Sequence, residues 1–273
     1  MRDFGLRELI GDARDYVFGD GNIPFIPYQP DSDFTKSFVK FENQSIPNFE
    51  TYACTCFAST TQIEIQEKRQ YGIEKNYSDR WLAIISGLNG SGGTDPQRVY
   101  QAIRDYGLIP EDMLPFSGDI NTAEEYFSFK GANREECYAE GRRWLEKYDF
   151  RYEKLWKGER PENFLEIIKK AQQSCCPTLS VSAWNEVNGE YVSTGNVNNH
   201  LTLGVRFIDE KEQVFDTYKR GDTNLKILAK DHNIRRGYRI FIQKKTKQAM
   251  RKDVSTLIKV LNFLKELVKK NLL

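Results

Sequence analysis

Apolar residues recur every three or four positions through most of the first half of the chain, then alternate in short runs from residue 178 onward. That change of period predicts helices followed by strands. Residues 57–68 lack glycine and proline and place Ala58, Thr61, Ile65 and Lys68 on one helical face, with Thr55 and Cys56 leading in. A second helix starts near residue 78, with Ser78 as its cap. At Thr94-Asp95-Pro96-Gln97 two starts are compatible: a Thr94…Gln97 capping box, or Asp95 as cap with Pro96 in first place. Val99, Ala102, Ile103 and Tyr106 form that helix's apolar stripe, and Gly107 closes it. Residues 122–148 read as helical, and another helix begins at Pro161. Strands are expected over 178–183, 200–208, 213–218 and 237–243. The order argues for an α+β fold of two lobes, a helical N-terminal lobe and an antiparallel β C-terminal lobe.

The two ends read differently from the body. Leu6, Leu9 and Ile10 suit a short helix, Pro24, Pro27 and Pro30 an extended path, and Phe34, Phe38 and Phe41 anchors onto the body. Residues 1–43 are therefore expected to be an extension packed on a domain spanning 44–244. From 245 to 273 apolar Val254, Leu257, Ile258, Leu261, Leu264, Val268 and Leu272 repeat at helical spacing between lysines. Such a basic amphipathic helix (246–273) is expected to pack on its own body, in an oligomer or on an assembly partner, an anionic membrane being the sharper alternative.

Composition narrows the classes. Hydrophobic residues at 39% and aromatics at 13% suit an ordered globular chain. The net charge of +1 conceals a basic tail on a mildly acidic body, so the body makes no electrostatic case for specific nucleic-acid binding. Without an apolar run of 18 residues no transmembrane segment is expected, and Met1-Arg2-Asp3 does not open a signal peptide. A cytoplasmic location is the expectation. Five cysteines do not make a disulfide framework, and with His200 and His232 as the only histidines neither a metal nor a cofactor is expected. The glycine-rich stretch 88–93 lacks Gly-Lys-Ser/Thr and reads as a turn rather than a phosphate loop.

The candidate chemistry lies in three places. Cys56, in the first turn of its helix, faces unpaired backbone N–H groups and the positive end of the helix dipole, which favours thiolate. The plain alternative is a small buried hydrophobe. A thiol nucleophile needs a base, and His200 opens an apolar strand after the turn-forming 196–199. His232 lies in the charged Lys230-Asp231-His232-Asn233 and reads as a surface residue. Asp216, an acid within the apolar-aromatic Val214-Phe215-Asp216-Thr217-Tyr218, is costly to bury unpaired and could orient the base.

In their order along the chain these residues resemble the papain-like cysteine peptidases. Cys54-Thr55-Cys56-Phe57-Ala58-Ser59 resembles the family's C-G-[SA]-C-[WY] signature with one residue fewer between the cysteines. Asn199-His200 and its strand resemble the family's histidine stretch, and Asp216-Thr217-Tyr218 resembles Asn-Ser-Trp, with Asp in place of Asn and Tyr in place of Trp. Cys176-Pro177-Thr178 and Gly237-Tyr238-Arg239-Ile240 resemble later strands. The resemblance spans about residues 40–243 and implies a two-lobed fold acting on a protein or peptide substrate. It implies a Cys56–His200–Asp216 triad shielded by Tyr218, hydrolysing peptide or isopeptide bonds. The family's oxyanion glutamine lies six residues before the nucleophile, where Glu50 stands; Gln44 is the nearest glutamine and is taken as the donor. The Asp-x-Tyr variant and the layout are similar to papain-like proteins encoded by bacteriophages. Two alternatives stay open: a virion assembly protein with little catalysis, and transglutaminase-like acyl transfer.

Overall fold

A computed structural model describes residues 16–17, 32–44, 49–117, 119–195, 197–220 and 223–245. The glycine- and proline-free stretch forms α1 (Cys54–Tyr71), which stops where Gly72 turns left-handed (φ 64°) and donates its N–H to the Lys68 carbonyl. Its first 14 residues are all buried, so this helix has no solvent face. One side packs on the sheet and another on α2 (Asp79–Ile85) and α3 (Pro96–Tyr106). Three of its buried polar residues are hydrogen-bonded to neighbouring elements. Gln62 donates to the carbonyls of Cys176 (2.7 Å) and Tyr238 (3.3 Å), Glu64 accepts from the Tyr77 N–H (2.7 Å), and Glu67 accepts from the Tyr77 hydroxyl (2.6 Å).

The predicted caps are present. Ser78 Oγ accepts from Trp81 N–H at 3.1 Å, and Asp95 Oδ1 accepts from Gln97 N–H at 2.7 Å, the second of the two starts the sequence allowed. The stretch expected to be one helix over 122–148 is two, α4 (Ala123–Tyr126) and α5 (Arg134–Lys147). Gly131 at φ 80° breaks it, and Asn133 caps the second piece. The helix expected from Pro161 begins later, as α6 (Phe164–Gln172).

Seven strands form the main sheet. They are β1 (Tyr16–Val17), β2 (Tyr148–Lys154), β3 (Thr178–Val181), β6 (His200–Ile208), β7 (Lys211–Arg220), β8 (Thr223–Ile227) and β9 (Ile234–Lys244). Their spatial order is β1-β2-β9-β3-β6-β7-β8, antiparallel except between β1 and β2. A separate hairpin joins β4 (Trp184–Val187) to β5 (Glu190–Ser193). The fold is thus α+β, as expected. β2, β8 and the hairpin are additions: β2 alternates Tyr148, Phe150 and Tyr152 with Asp149, Arg151 and Glu153, a strand pattern lying at the end of the stretch expected to be helical, while β8 and the hairpin strands are only four or five residues long. The main core is shared between the helical side and the sheet, for Phe57, Tyr77 and Tyr100 from the helical half pack with Tyr152 and Tyr238 from β2 and β9.

Phe34 and Phe38 are anchors, buried with Ile65, Leu203 and Phe215. Phe41 departs from that expectation. It is 57% exposed, with its ring centroid 4.8 Å from that of Phe38 and 5.7 Å from that of Phe215. The short helix near residue 6, the proline path at 24–30 and the basic helix 246–273 lie outside the described residues. Among the described residues no helix is long and apolar enough to cross a membrane.

One buried cation holds the helical side together. Arg80 donates to the carbonyls of Tyr126 (3.1 Å), Pro115 (2.8 Å), Glu125 (2.9 Å) and Ser128 (2.8 Å). Arg80→Met would leave these buried acceptors without their donor. It should lower the free energy of unfolding by about 3 kcal/mol or more, read as a shifted urea midpoint at unchanged slope.

Candidate active site

His200 is the first residue of β6, paired in register with Val181 of β3. Adjacent β7 carries Asp216, and the two side chains meet: His200 Nε2 lies 2.7 Å from Asp216 Oδ1. Asp216 Oδ1 also accepts the Tyr218 N–H at 3.0 Å. Its second oxygen, Oδ2, accepts from Nζ of Lys226 on β8. Burial alone would raise the Asp216 carboxyl, but the charges and hydrogen bonds of His200 and Lys226 more than offset it and hold it below the usual carboxylate value. Asp216 is therefore ionised at neutral pH. The stability it contributes is present above the ordinary carboxylate value and is lost as pH falls through its lowered one.

The helix decides which cysteine faces this pair. Successive residues of an α-helix turn by about 100°, so Cys54 and Cys56 point about 200° apart and cannot both face the sheet. Cys54 does. It packs with Ala58, one turn on, against Leu201, the residue after His200. Cys56 turns the other way, into the core with Phe57, Tyr77, Ala83 and Tyr126. Its sulfur meets the Ser86 hydroxyl at 3.9 Å. The expected pairing of Cys56 with His200 is thus corrected by helical phase: the structure brings His200 and Asp216 together and sets Cys56 on the opposite face of α1. Burial raises both thiols, Cys56 to about 12. For Cys54 burial is again the largest cause; the Leu201 N–H opposes it, while Cys56, Asp216 and Glu50 add to it. Cys54 is 0%, His200 1% and Asp216 2% exposed, so in this state the sulfur is closed to solvent and protonated.

Aromatic rings flank the imidazole. Tyr218, expected as a shield, lies with its ring 5.5 Å from that of His200 at an interplanar angle of 52°. Trp184 of the β4–β5 hairpin approaches edge-on at 5.5 Å and 89°. Gln44 is buried beside the same strand: its N–H donates to the Thr217 carbonyl (3.0 Å) and its Oε1 accepts the Thr217 hydroxyl (2.6 Å). Its Nε2 is buried without a hydrogen-bond partner among the described residues. Glu50, six before Cys56, accepts from the Tyr218 hydroxyl and from the Tyr52 N–H at 3.1 Å.

His232 is no surface residue. It is 1% exposed and bridges the hairpin to the sheet, Nδ1 to the Tyr191 carbonyl (2.8 Å) and Nε2 to the Ser182 carbonyl (3.0 Å). Charged neighbours in sequence mask this, because only pairing of the hairpin brings two carbonyls to its ring. All five thiols are buried and free of disulfides, and no cluster of three or more His, Cys, Asp or Glu suited to a metal occurs among the described residues.

Sequence reasoning missed Cys54, Lys226 and Trp184. A signal existed for Cys54: the face Ala58, Thr61, Ile65 and Lys68, carried back one turn, lands on residue 54. For Lys226 the signal is indirect, since a buried Asp216 paired with one imidazole invites a permanent cation as well. Trp184 had none, because the hairpin that carries it was not expected.

The fold is similar to that of solved cysteine proteases. Xylellain, a cysteine protease from Xylella fastidiosa, superposes with a TM-score of 0.64 at 15% identity, over 90% of this chain and 99% of that one. The bromelain protease from Ananas comosus, solved with the E64 inhibitor, gives 0.52 at 16% identity over 77% and 98%. The ragweed pollen allergen Amb a 11, a cysteine protease in its proform, gives 0.54 at 16% identity over 82% of this chain and 69% of that one. No protein-family model matches the chain, and no curated protein matches it by sequence. At such identities the likeness is one of fold, and that fold is the papain-like α+β fold.

Proposed function

We propose that this chain is a thiol-dependent peptidase whose nucleophile is Cys54, with His200 as acid–base and Asp216 as its orienter. One observation carries the reading: Cys54 packs against Leu201, the residue after the histidine that Asp216 holds. With Nε2 facing Asp216, Nδ1 is the ring atom that exchanges a proton with the thiol.

In the reaction the Cys54 thiol gives its proton to His200 Nδ1, and the resulting thiolate attacks the carbonyl carbon of a peptide or isopeptide bond. Negative charge moves to the carbonyl oxygen. The Cys54 backbone N–H, in the unbonded first turn of α1, is placed to stabilise it. Gln44 Nε2 is the second donor; residue 48, six before Cys54, is an asparagine outside the described residues. The C–N bond then breaks as the imidazolium protonates the leaving amine. Water, deprotonated by His200, releases the acid from sulfur, and the proton returns to Cys54. Because the sulfur is closed to solvent in this state, substrate entry has to open the site before the proton leaves it.

The test uses a peptidyl epoxide and a fluorogenic peptide pool. The epoxide should modify Cys54, spare the other four cysteines, and fail to react in His200→Ala, while the pool is cleaved by the wild type alone. Modification at Cys56, or labelling indifferent to His200, would sink the proposal. The same assay with primary amines added separates hydrolysis from acyl transfer, which would yield conjugates. A chain that only assembles would neither label nor cleave. A place in a virion, suggested by the Asp-x-Tyr layout, has that motif alone as its support.

A further inference from the structure

Lys226 is the side chain near this site that the reaction does not require. It is 1% exposed, and lysine is almost never buried so fully without a partner. Its ammonium donates to Asp216 Oδ2 and to the Tyr218 carbonyl (3.1 Å), and it lies over the rings of Trp184 (5.3 Å) and Tyr191 (5.5 Å). Trp184 is the same ring that meets the edge of His200. One rigid group of side chains thus joins Lys226, Asp216 and His200 in a row, with no solvent to screen them.

Charge counting gives this row a purpose. The reactive form holds a thiolate, an imidazolium and the Asp216 carboxylate, a net charge of −1 in a buried site. Where the papain-like family carries a neutral Asn, this chain carries an acid. The Lys226 ammonium brings the sum back to zero, so the pair Asp216–Lys226 is electrically equivalent to the amide it replaces. We infer that Lys226 is a charge-balancing and positioning residue of the proposed catalytic site, setting the pH range in which thiolate and imidazolium coexist. The inference rests on the peptidase reading for its consequence, although the charge balance itself concerns His200 whether or not Cys54 reacts.

The signs follow from Coulomb's law. Removing a cation makes every nearby group harder to deprotonate, and removing an anion makes it easier. Among the described residues the other ionisable groups around the row include Cys54 on α1, Tyr218 on β7, Tyr191 of the hairpin, and Glu50, which accepts from the Tyr218 hydroxyl. His232 touches the far side of Trp184, 5.9 Å from its ring centroid. None of these is a cation able to stand in for Lys226.

The test is a charge cycle on the full chain: wild type, Lys226→Met, Asp216→Asn and the double variant. With only two histidines in the sequence, the titration of His200 can be followed by NMR of its ring protons. Lys226→Met should raise that titration by about one pH unit, Asp216→Asn should lower it by a similar amount, and the double variant should fall between them. The pH profile of Cys54 alkylation by iodoacetamide should move as a whole, both limbs together, in the same directions. A Lys226→Met chain in which His200 titrates as in the wild type would overturn the inference. If Lys226→Met does not fold, the double variant, which leaves no orphan charge, should fold and titrate above Asp216→Asn. A double variant that also fails to fold would assign Lys226 to packing and overturn the inference. Cys54 unreactive at every pH in the wild type would remove the peptidase reading, while the His200 titrations would still decide for or against Lys226.

Discussion

Cys54→Ala is expected to lower peptide hydrolysis by about 10⁴-fold or more, while Cys56→Ala keeps it within about threefold. Both residues are thiols in the first turn of one buried helix, both 0% exposed. Burial, dipole position and composition therefore do not distinguish them; direction does. Cys54 shares its face with Ala58 and meets Leu201, beside the His200–Asp216 pair. Cys56 meets Ser86 among helical-side residues, where its loss leaves a small cavity. Its removal should appear as about 1–2 kcal/mol of stability, not as rate. The measurement is kcat/KM on a fluorogenic peptide pool, alongside thermal melts of both variants. Silencing by Cys56→Ala with activity retained in Cys54→Ala would return the nucleophile to position 56.

A large structural effect is expected at Gly141, in the interior of α5. Alanine inside a helix normally stabilises relative to glycine by about 1 kcal/mol. Here the sign inverts. A Cβ on Gly141 would overlap the Tyr106 carbonyl oxygen and crowd the Trp81 ring at 3.3 Å. Its neighbour Gly107 is the reciprocal contact: a Cβ there would overlap the Gly141 carbonyl, and its φ of 72° is a conformation that suits glycine. The end of α3 and the middle of α5 thus touch backbone to backbone, and the Trp81 indole N–H bonds the Gly107 carbonyl at 2.9 Å. Gly141→Ala should cost about 2–4 kcal/mol by urea denaturation, and Gly107→Ala at least as much. Gly72→Ala is the control. It has the same left-handed backbone (φ 64°) with nothing within 4 Å, so it should cost only the conformational strain, about 1–2 kcal/mol. Equal losses at Gly72 and Gly107 would show that the helix contact contributes nothing.

What the sequence determined by itself was local and periodic. The breaker-free run from 54 to 71, the Ser78 and Asp95 caps, the stop at Gly107 and the strand opening at His200 each follow from neighbours a few residues away. So does the order of helices before strands, and with it the α+β class. Asp216 was legible as an acid needing a partner, because a lone carboxylate in an apolar strand is costly wherever the strand lies. β8 and the hairpin strands, four or five residues long, are too short to show a period, whereas β2 alternates aromatic and charged residues and carried a strand signal that the helical pattern before it obscured.

Only the tertiary structure decided which thiol faces the sheet that carries the imidazole. Residues 54 and 56 differ by little in local chemistry, yet a turn of about 200° sends one to the sheet and the other to the helical core. It alone placed Lys226 against Asp216, because strand pairing over ten residues of chain, not sequence adjacency, creates that contact. It also buried His232, whose charged neighbours describe a surface loop while two backbone carbonyls hold its ring inside. Periodicity says that a residue points inward; what it meets there depends on elements folded over it from far along the chain, and that is where the chemistry was settled.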